Sequence, residues 1–180
     1  MKEKGFSIRK LVYAAICLAL CMVLPFLTGQ MQQLGNALCP MHIPVLLCGF
    51  LCGGYYAAAV GVIAPLLRFA LFGMPPIFPI GTAMCFELLT YGLLAGILYK
   101  KLPKKTVNIY VSLVCAMLGG RLVWGIVRFV MTLFFHVEFS IAMFVAGAFV
   151  TAIPGIICHI VLIPIIVMAL ERAGLTIKEK

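Results

Sequence analysis

Apolar residues run along this chain in five long stretches, 11–28, 43–72, 80–99, 107–135 and 141–170, separated by short breaks rich in glycine, proline, lysine or amide side chains. No stretch alternates with a period of two, and each is longer than a strand, so the pattern predicts helices throughout. A helix that crosses the hydrocarbon needs roughly 20 residues, which fits the first and third stretches as single spans. Thirty residues of helix extend about 45 Å, too far for one upright crossing. The second stretch carries Gly53-Gly54 near its middle, a plausible turn, and splitting it there predicts six helices at about 11–28, 42–53, 55–73, 80–99, 107–135 and 141–170. The chain, 1–180, reads as one six-helix transmembrane domain: no linker, low-complexity tract or clear internal repeat interrupts it.

Composition turns that pattern into a membrane protein. Apolar residues make up 64% and charged residues 11% of the chain, against roughly 45–50% and 25% in soluble domains, and mean hydropathy is +1.19. Lys2, Lys4, Arg9 and Lys10 before an apolar run mimic a secretory signal, but no small-x-small cleavage site follows, so the run is expected to be retained as the first helix. The eight cysteines do not read as a disulfide framework or a metal site: seven lie inside apolar runs, Cys17/Cys21 and Cys48/Cys52 are spaced i, i+4 rather than CxxC, and only Cys39 falls in a loop.

Basic residues set the topology. The cluster at Lys2–Lys10 and that at Lys100, Lys101, Lys104 and Lys105 are both expected on the cytoplasmic side, and an even number of crossings must separate them. Splitting the second stretch provides four; Arg172, Lys178 and Lys180 then place the carboxy terminus inside after two more. Segments 29–41, 73–79 and 136–140 become outer loops, the first holding Gln30, Gln32, Gln33 and Asn36, the second a proline-stiffened apolar lid.

Four charges fall inside predicted spans: Arg68, Glu87, Arg121 and Arg128, summing to +2. Each costs about 2.5–3.5 kcal/mol at a helix centre on insertion scales, so such residues face the bundle interior or a water-filled cavity. A structural Glu–Arg pair accounts for Glu87 and one arginine but not for all three. Arg121, Trp124, Gly125 and Arg128 share one helical face; Trp124 there is placed either to stack on a flat ligand or to sit against one guanidinium. A cavity with excess positive charge favours a ligand bearing a carboxylate or phosphate, which a desolvated guanidinium binds bidentately. His42, expected at the outer start of the second helix, is a further contact candidate. His136 beside Glu138 reads as a solvated pair, and His159 as hydrogen-bonded to a neighbouring helix. Gly49/Gly53 and Gly92/Gly96 have the small-xxx-small spacing that lets helices pack closely.

Other chemistry is missing. There is no GxxxxGK[ST], HExxH or GxSxG motif and no aspartate to hold magnesium, so ATP hydrolysis is not expected of this chain. The lysines cluster at membrane boundaries rather than on an aromatic-interleaved surface, which excludes a nucleic-acid partner. A stand-alone secondary carrier would show paired repeats with broken helices, and an embedded enzyme would need a nucleophile–base or metal constellation, for which His42, Glu87 and His159 on different helices are the only candidates.

Ala15-x-x-x-Ala19, the run Met41-His42-Ile43-Pro44-Val45-Leu46-Leu47, then Gly73-Met74-Pro75-Pro76, Glu87-Leu88-x-x-Tyr91-Gly92-Leu93-Leu94-x-Gly96 and Gly120-Arg121, in this order in a six-helix chain, resemble the S-components of energy-coupling factor (ECF) transporters. The resemblance covers nearly the whole chain. It implies an all-α bundle in a bacterial cytoplasmic membrane that captures a vitamin or similar micronutrient, with no cofactor of its own, and that docks on a transmembrane coupling subunit joined to two ATPases, which hydrolyse the ATP. It further implies a ligand site near the outer face made of Gln30, Gln33, Asn36, His42, Arg68, Glu87, Tyr91, Arg121, Trp124 and Arg128 with residues around Phe144, and a docking face at Ala15 and Ala19. Pantothenate is the first candidate ligand; folate, lipoate, a modified nucleobase and haem are the others.

Overall fold

The computed structural model describes residues 8–28, 35, 37–103 and 105–174. Gln30, Gln33 and Asn36 lie outside them. The described chain is helical, ordered α1 (Ile8–Val23), α2 (His42–Cys52), α3 (Gly54–Phe72), α4 (Thr82–Lys101), α5 (Thr106–Phe135), α6 (Ile141–Val145) and α7 (Ile153–Arg172). A π turn, closed by Thr151 N–H donating to the Ala146 carbonyl at 2.8 Å, joins α6 to α7, and the run Ile141–Arg172 acts as one apolar span. Among the described residues, five segments are long and apolar enough to cross a membrane. This is a multi-pass membrane protein.

Local sequence explains the breaks. Gly53 takes φ 92°, a conformation that would strain any residue with a side chain, and turns the chain between α2 and α3. Gly73, at φ 71°, closes α3 by donating to the Phe69 carbonyl at 2.8 Å. Ser140 caps α6, its hydroxyl accepting from Met143 N–H at 3.2 Å.

Ends that meet reveal an antiparallel bundle. Arg68 near the end of α3 donates to the Met22 carbonyl near the end of α1 at 3.1 Å, and Phe78 before α4 meets Phe135 at the end of α5 with ring centroids 5.2 Å apart. At the opposite end Phe50 of α2 packs on Tyr99 of α4 at 5.0 Å, and the Tyr99 hydroxyl donates to Glu171 of α7. The starts of α1, α3 and α5 therefore share an end with the finishes of α2, α4 and α7. Leu118, Leu122, Ile126 and Phe129 form an exposed stripe on α5, and Leu11, Val12, Ile16 and Leu20 another on α1, as lipid-facing surfaces should. Cys115 also lies on the exposed side, so it is not the buried hydrophobe that its apolar run suggests; none of the eight cysteines is joined in a disulfide.

α2 keeps close to its expected bounds, but its 11 residues make about 16 Å of helix, roughly half the hydrocarbon thickness, and it is not among the five candidate spans. His42 departs from the sequence expectation and does not sit at the outer surface: it is 3% exposed and packs edge-on against Tyr91 at 5.2 Å, inside the bundle. The segment before it, helical at Ala37 and Leu38, packs on α7, where Gly155 lies so close that a Cβ would come within 2.6 Å of the Ala37 carbonyl oxygen.

Candidate functional site

The cavity this segment lines has a volume of about 390 Å³, towards the lower end of roughly 300–1,000 Å³ for small-molecule sites. Its floor is Cys39, His42, Glu87 and Arg121; its walls are Met41, Met84 and Trp124; Met74, Pro75 and Pro76 cover one side. The proline-rich loop is held in shape by Gly81 N–H donating to the Pro76 carbonyl at 2.9 Å and Thr82 hydroxyl donating to the Ile77 carbonyl at 2.8 Å. On the far side Met143, Gly147 and Thr151, spaced four apart across the π turn, bring that segment to the cavity. Such π turns often occur where a helix must aim side chains at a site.

Of the ten binding residues expected from the sequence, His42, Arg68, Glu87, Arg121, Trp124 and Arg128 line this cavity. Tyr91 does not; it supports the floor from below, 1% exposed, against His42. Gly120 makes room for it, since a Cβ there would fall 2.0 Å from the Tyr91 ring.

The four charges divide into three roles. Glu87, 1% exposed, forms an ion pair with Arg121, Nη1 to Oε1 at 2.9 Å, with His42 Nε2 at 3.5 Å from the same oxygen. Arg121 also donates through Nη2 to Cys39 Sγ at 3.6 Å, so this thiol belongs to the polar floor rather than to an apolar core. Arg68 is engaged by the Met22 carbonyl at 3.1 Å and lies over the rings of Phe26 and Phe72 at 5.7 and 5.3 Å. A cation near the carboxy end of α1 also offsets the negative end of that helix dipole. Arg128 differs: its Nε and Nη1 are buried without a hydrogen-bond partner among the described residues, and its guanidinium lies over Phe139 at 5.1 Å.

The Trp124 ring contacts are aromatic. Its indole meets Phe139 edge-on at 5.5 Å and stacks near Phe144 at 6.1 Å. Phe144 in turn fills the space left by Gly125, where a Cβ would come within 2.4 Å of its ring. The ring beneath the arginine is thus Phe139, from the break after α5, which no spacing rule marks. Cys39, the wall methionines and Thr151 carried no signal either, because apolar lining and apolar core have the same composition. His159, 2% exposed, stacks on His42 at 6.1 Å. His136 and Glu138 are exposed. Among the described residues no group of three or more His, Cys, Asp or Glu side chains could hold a metal ion.

Ala15 and Ala19 lie on the exposed side of α1, opposite Ala14, Cys17 and Cys21, which pack inward. The helix thus presents small residues outward on an otherwise bulky lipid-facing stripe.

A small-molecule cavity near one end of a multi-pass bundle, with its charges turned inward, is what a membrane receptor subunit needs. No curated protein and no solved structure matches the chain. The sequence pattern of the family described as ECF transporter, substrate-specific component, matches residues 9–167. With that match spanning nearly the whole length, the chain belongs to the substrate-specific components of ECF transporters.

Proposed function

We infer that this chain captures a small organic acid, of the vitamin class and with high affinity, in the cavity above Glu87 and Arg121, and that the acid seats on Arg128. The observation that carries this is the half-buried Arg128, whose guanidinium has Nε and Nη1 buried and without a hydrogen-bond partner among the described residues at the wall of a 390 Å³ cavity, while Glu87 already balances Arg121 and Arg68 is engaged elsewhere. An unmatched cation in a low-dielectric wall is stabilised by an anion, and a carboxylate or phosphate matches its planar fork. The modest volume favours compact acids; pantothenate remains the first candidate, ahead of folate and haem.

In this reading all six segments, α2 with the segment before it included, traverse the bacterial cytoplasmic membrane, and both termini face the cytoplasm. The chain itself needs no cofactor: ATP is hydrolysed by two ATPase subunits of the energy-coupling module, and α1 docks on the transmembrane coupling subunit through Ala15 and Ala19. The outward position of these alanines on a helix of larger apolar side chains supports that assignment.

Two measurements test it. Trp124 is the only tryptophan and lines the cavity, so its fluorescence reports occupancy. Arg128→Ala is expected to weaken binding of the co-purifying acid by about 10- to 100-fold, the loss of one or two hydrogen bonds from a charged group, with Arg128→Lys intermediate. Equal affinity in all three proteins would reject the acid seat. Ala15→Leu is expected to abolish uptake in cells carrying the coupling module while leaving fluorescence titrations unchanged; undiminished uptake would remove α1 as the docking face.

A further inference from the structure

Among the described residues the cavity has unmet hydrogen-bonding capacity at two places, and they are chemically opposite. Arg128 on α5 offers only donors. The floor offers acceptors. Glu87 Oε1 is buried, and although Arg121 Nη1 and His42 Nε2 approach it at 2.9 and 3.5 Å, neither is aligned with it as a hydrogen bond. Both ring nitrogens of His42 are buried without a hydrogen-bond partner among the described residues. With the carboxylate facing Nε2, the favoured tautomer carries its hydrogen there, which leaves Nδ1 as an acceptor. Between floor and Arg128 the walls are Met41, Met84 and Trp124, surfaces that accept an apolar body of variable shape.

Because Arg121 neutralises Glu87, the floor does not call for a second charge on the ligand. It calls for a neutral donor. A ligand that satisfied Arg128 but laid a methyl group on His42 and Glu87 would leave those buried acceptors without an aligned donor, and sites built around such groups discriminate strongly against analogues that lack the partner.

We propose that the ligand is two-ended, an acidic group on Arg128 joined through a short apolar body to a hydroxyl or amide N–H that donates to the His42–Glu87 floor. This rests on the Arg128 reading above and narrows it from small acids in general to hydroxy or amido acids.

The purified full chain, incubated with a protein-free small-molecule extract of rich growth medium, washed and denatured, releases what it has retained for identification by mass spectrometry. The expected compound carries both groups, and capping its donor as a methyl ether or N-methyl amide weakens binding, read by Trp124 fluorescence, by about 10- to 100-fold. His42→Phe is expected to lose a similar factor and His42→Gln, which keeps an amide acceptor, to recover part of it. A retained acid without a donor, or a capped derivative that binds as tightly as its parent, overturns the two-ended ligand and leaves the Arg128 seat standing. A retained compound without an acidic group, or no retained compound at all, overturns both.

Discussion

Glu87→Ala is expected to destabilise the folded protein by about 3–5 kcal/mol, the cost of leaving a buried guanidinium without its counter-ion. The residue is 1% exposed and its carboxylate is 2.9 Å from Arg121, inside a bundle where no water replaces it cheaply. A melting experiment in detergent on Glu87→Ala, Arg121→Leu and the double variant forms a cycle. The double variant should recover much of the loss, because removing both charges leaves neither one stranded. Strictly additive losses would mean that the two residues do not act as a pair. Ligand binding should fall in all three proteins, since the floor of the cavity goes with the pair.

Gly96→Leu is expected to prevent accumulation of the folded protein altogether, and even Gly96→Ala should cost more than the ~1–3 kcal/mol usual for overpacking. A Cβ at position 96 would lie 2.1 Å from the Gly54 nitrogen and 2.5 Å from its Cα. Similar additions at Gly92 and Gly61 would come within 2.6 Å of the backbone of Ala57 and Leu88. These are main-chain atoms, so α3 and α4 would have to separate. The better helix propensity of alanine recovers only about 1 kcal/mol. Gly119→Ala is the control: its nearest neighbour, at 2.4 Å, is the end of the flexible Leu94 side chain, which can rotate away. Size-exclusion profiles of the three variants separate these cases, and a monodisperse Gly96→Leu protein would contradict backbone contact as the basis of this packing.

The small-residue pattern was legible as internal packing, yet its members do different things. Gly49, Gly92 and Gly96 admit a neighbouring helix, whereas Gly53 has nothing within 4 Å and serves as the turn. Spacing alone does not separate these roles, because a glycine is required both for close approach and for a positive φ. The intramembrane charges were equally visible and equally ambiguous. Arg68 and Arg128 read alike in sequence, one about one and a half turns and the other about two turns below the expected outer end of its helix. Their difference comes from which carbonyl and which rings the neighbouring helices bring: Met22, Phe26 and Phe72 engage Arg68, while Arg128 meets Phe139.

His42 shows where reading from sequence fails. An apolar run beginning near an outer loop was expected to start at the membrane surface, and α2 instead starts among buried residues with His159 stacked on its first ring. Hydropathy registers whether a segment avoids water, and protein interior and lipid are alike in that respect, so depth is invisible to it.

Sequence alone determined the membrane-embedded helical class, the break at Gly53, the inward charges and the family-specific motifs, because bilayer solvation and backbone freedom act residue by residue. Tertiary structure alone decided that Arg121 balances Glu87, that His42 is buried inside the bundle, and that Arg128 keeps unmet donors among the described residues at the cavity wall. Pairing of charges depends on a few ångströms between helices distant in the chain, and no one-dimensional pattern encodes that distance.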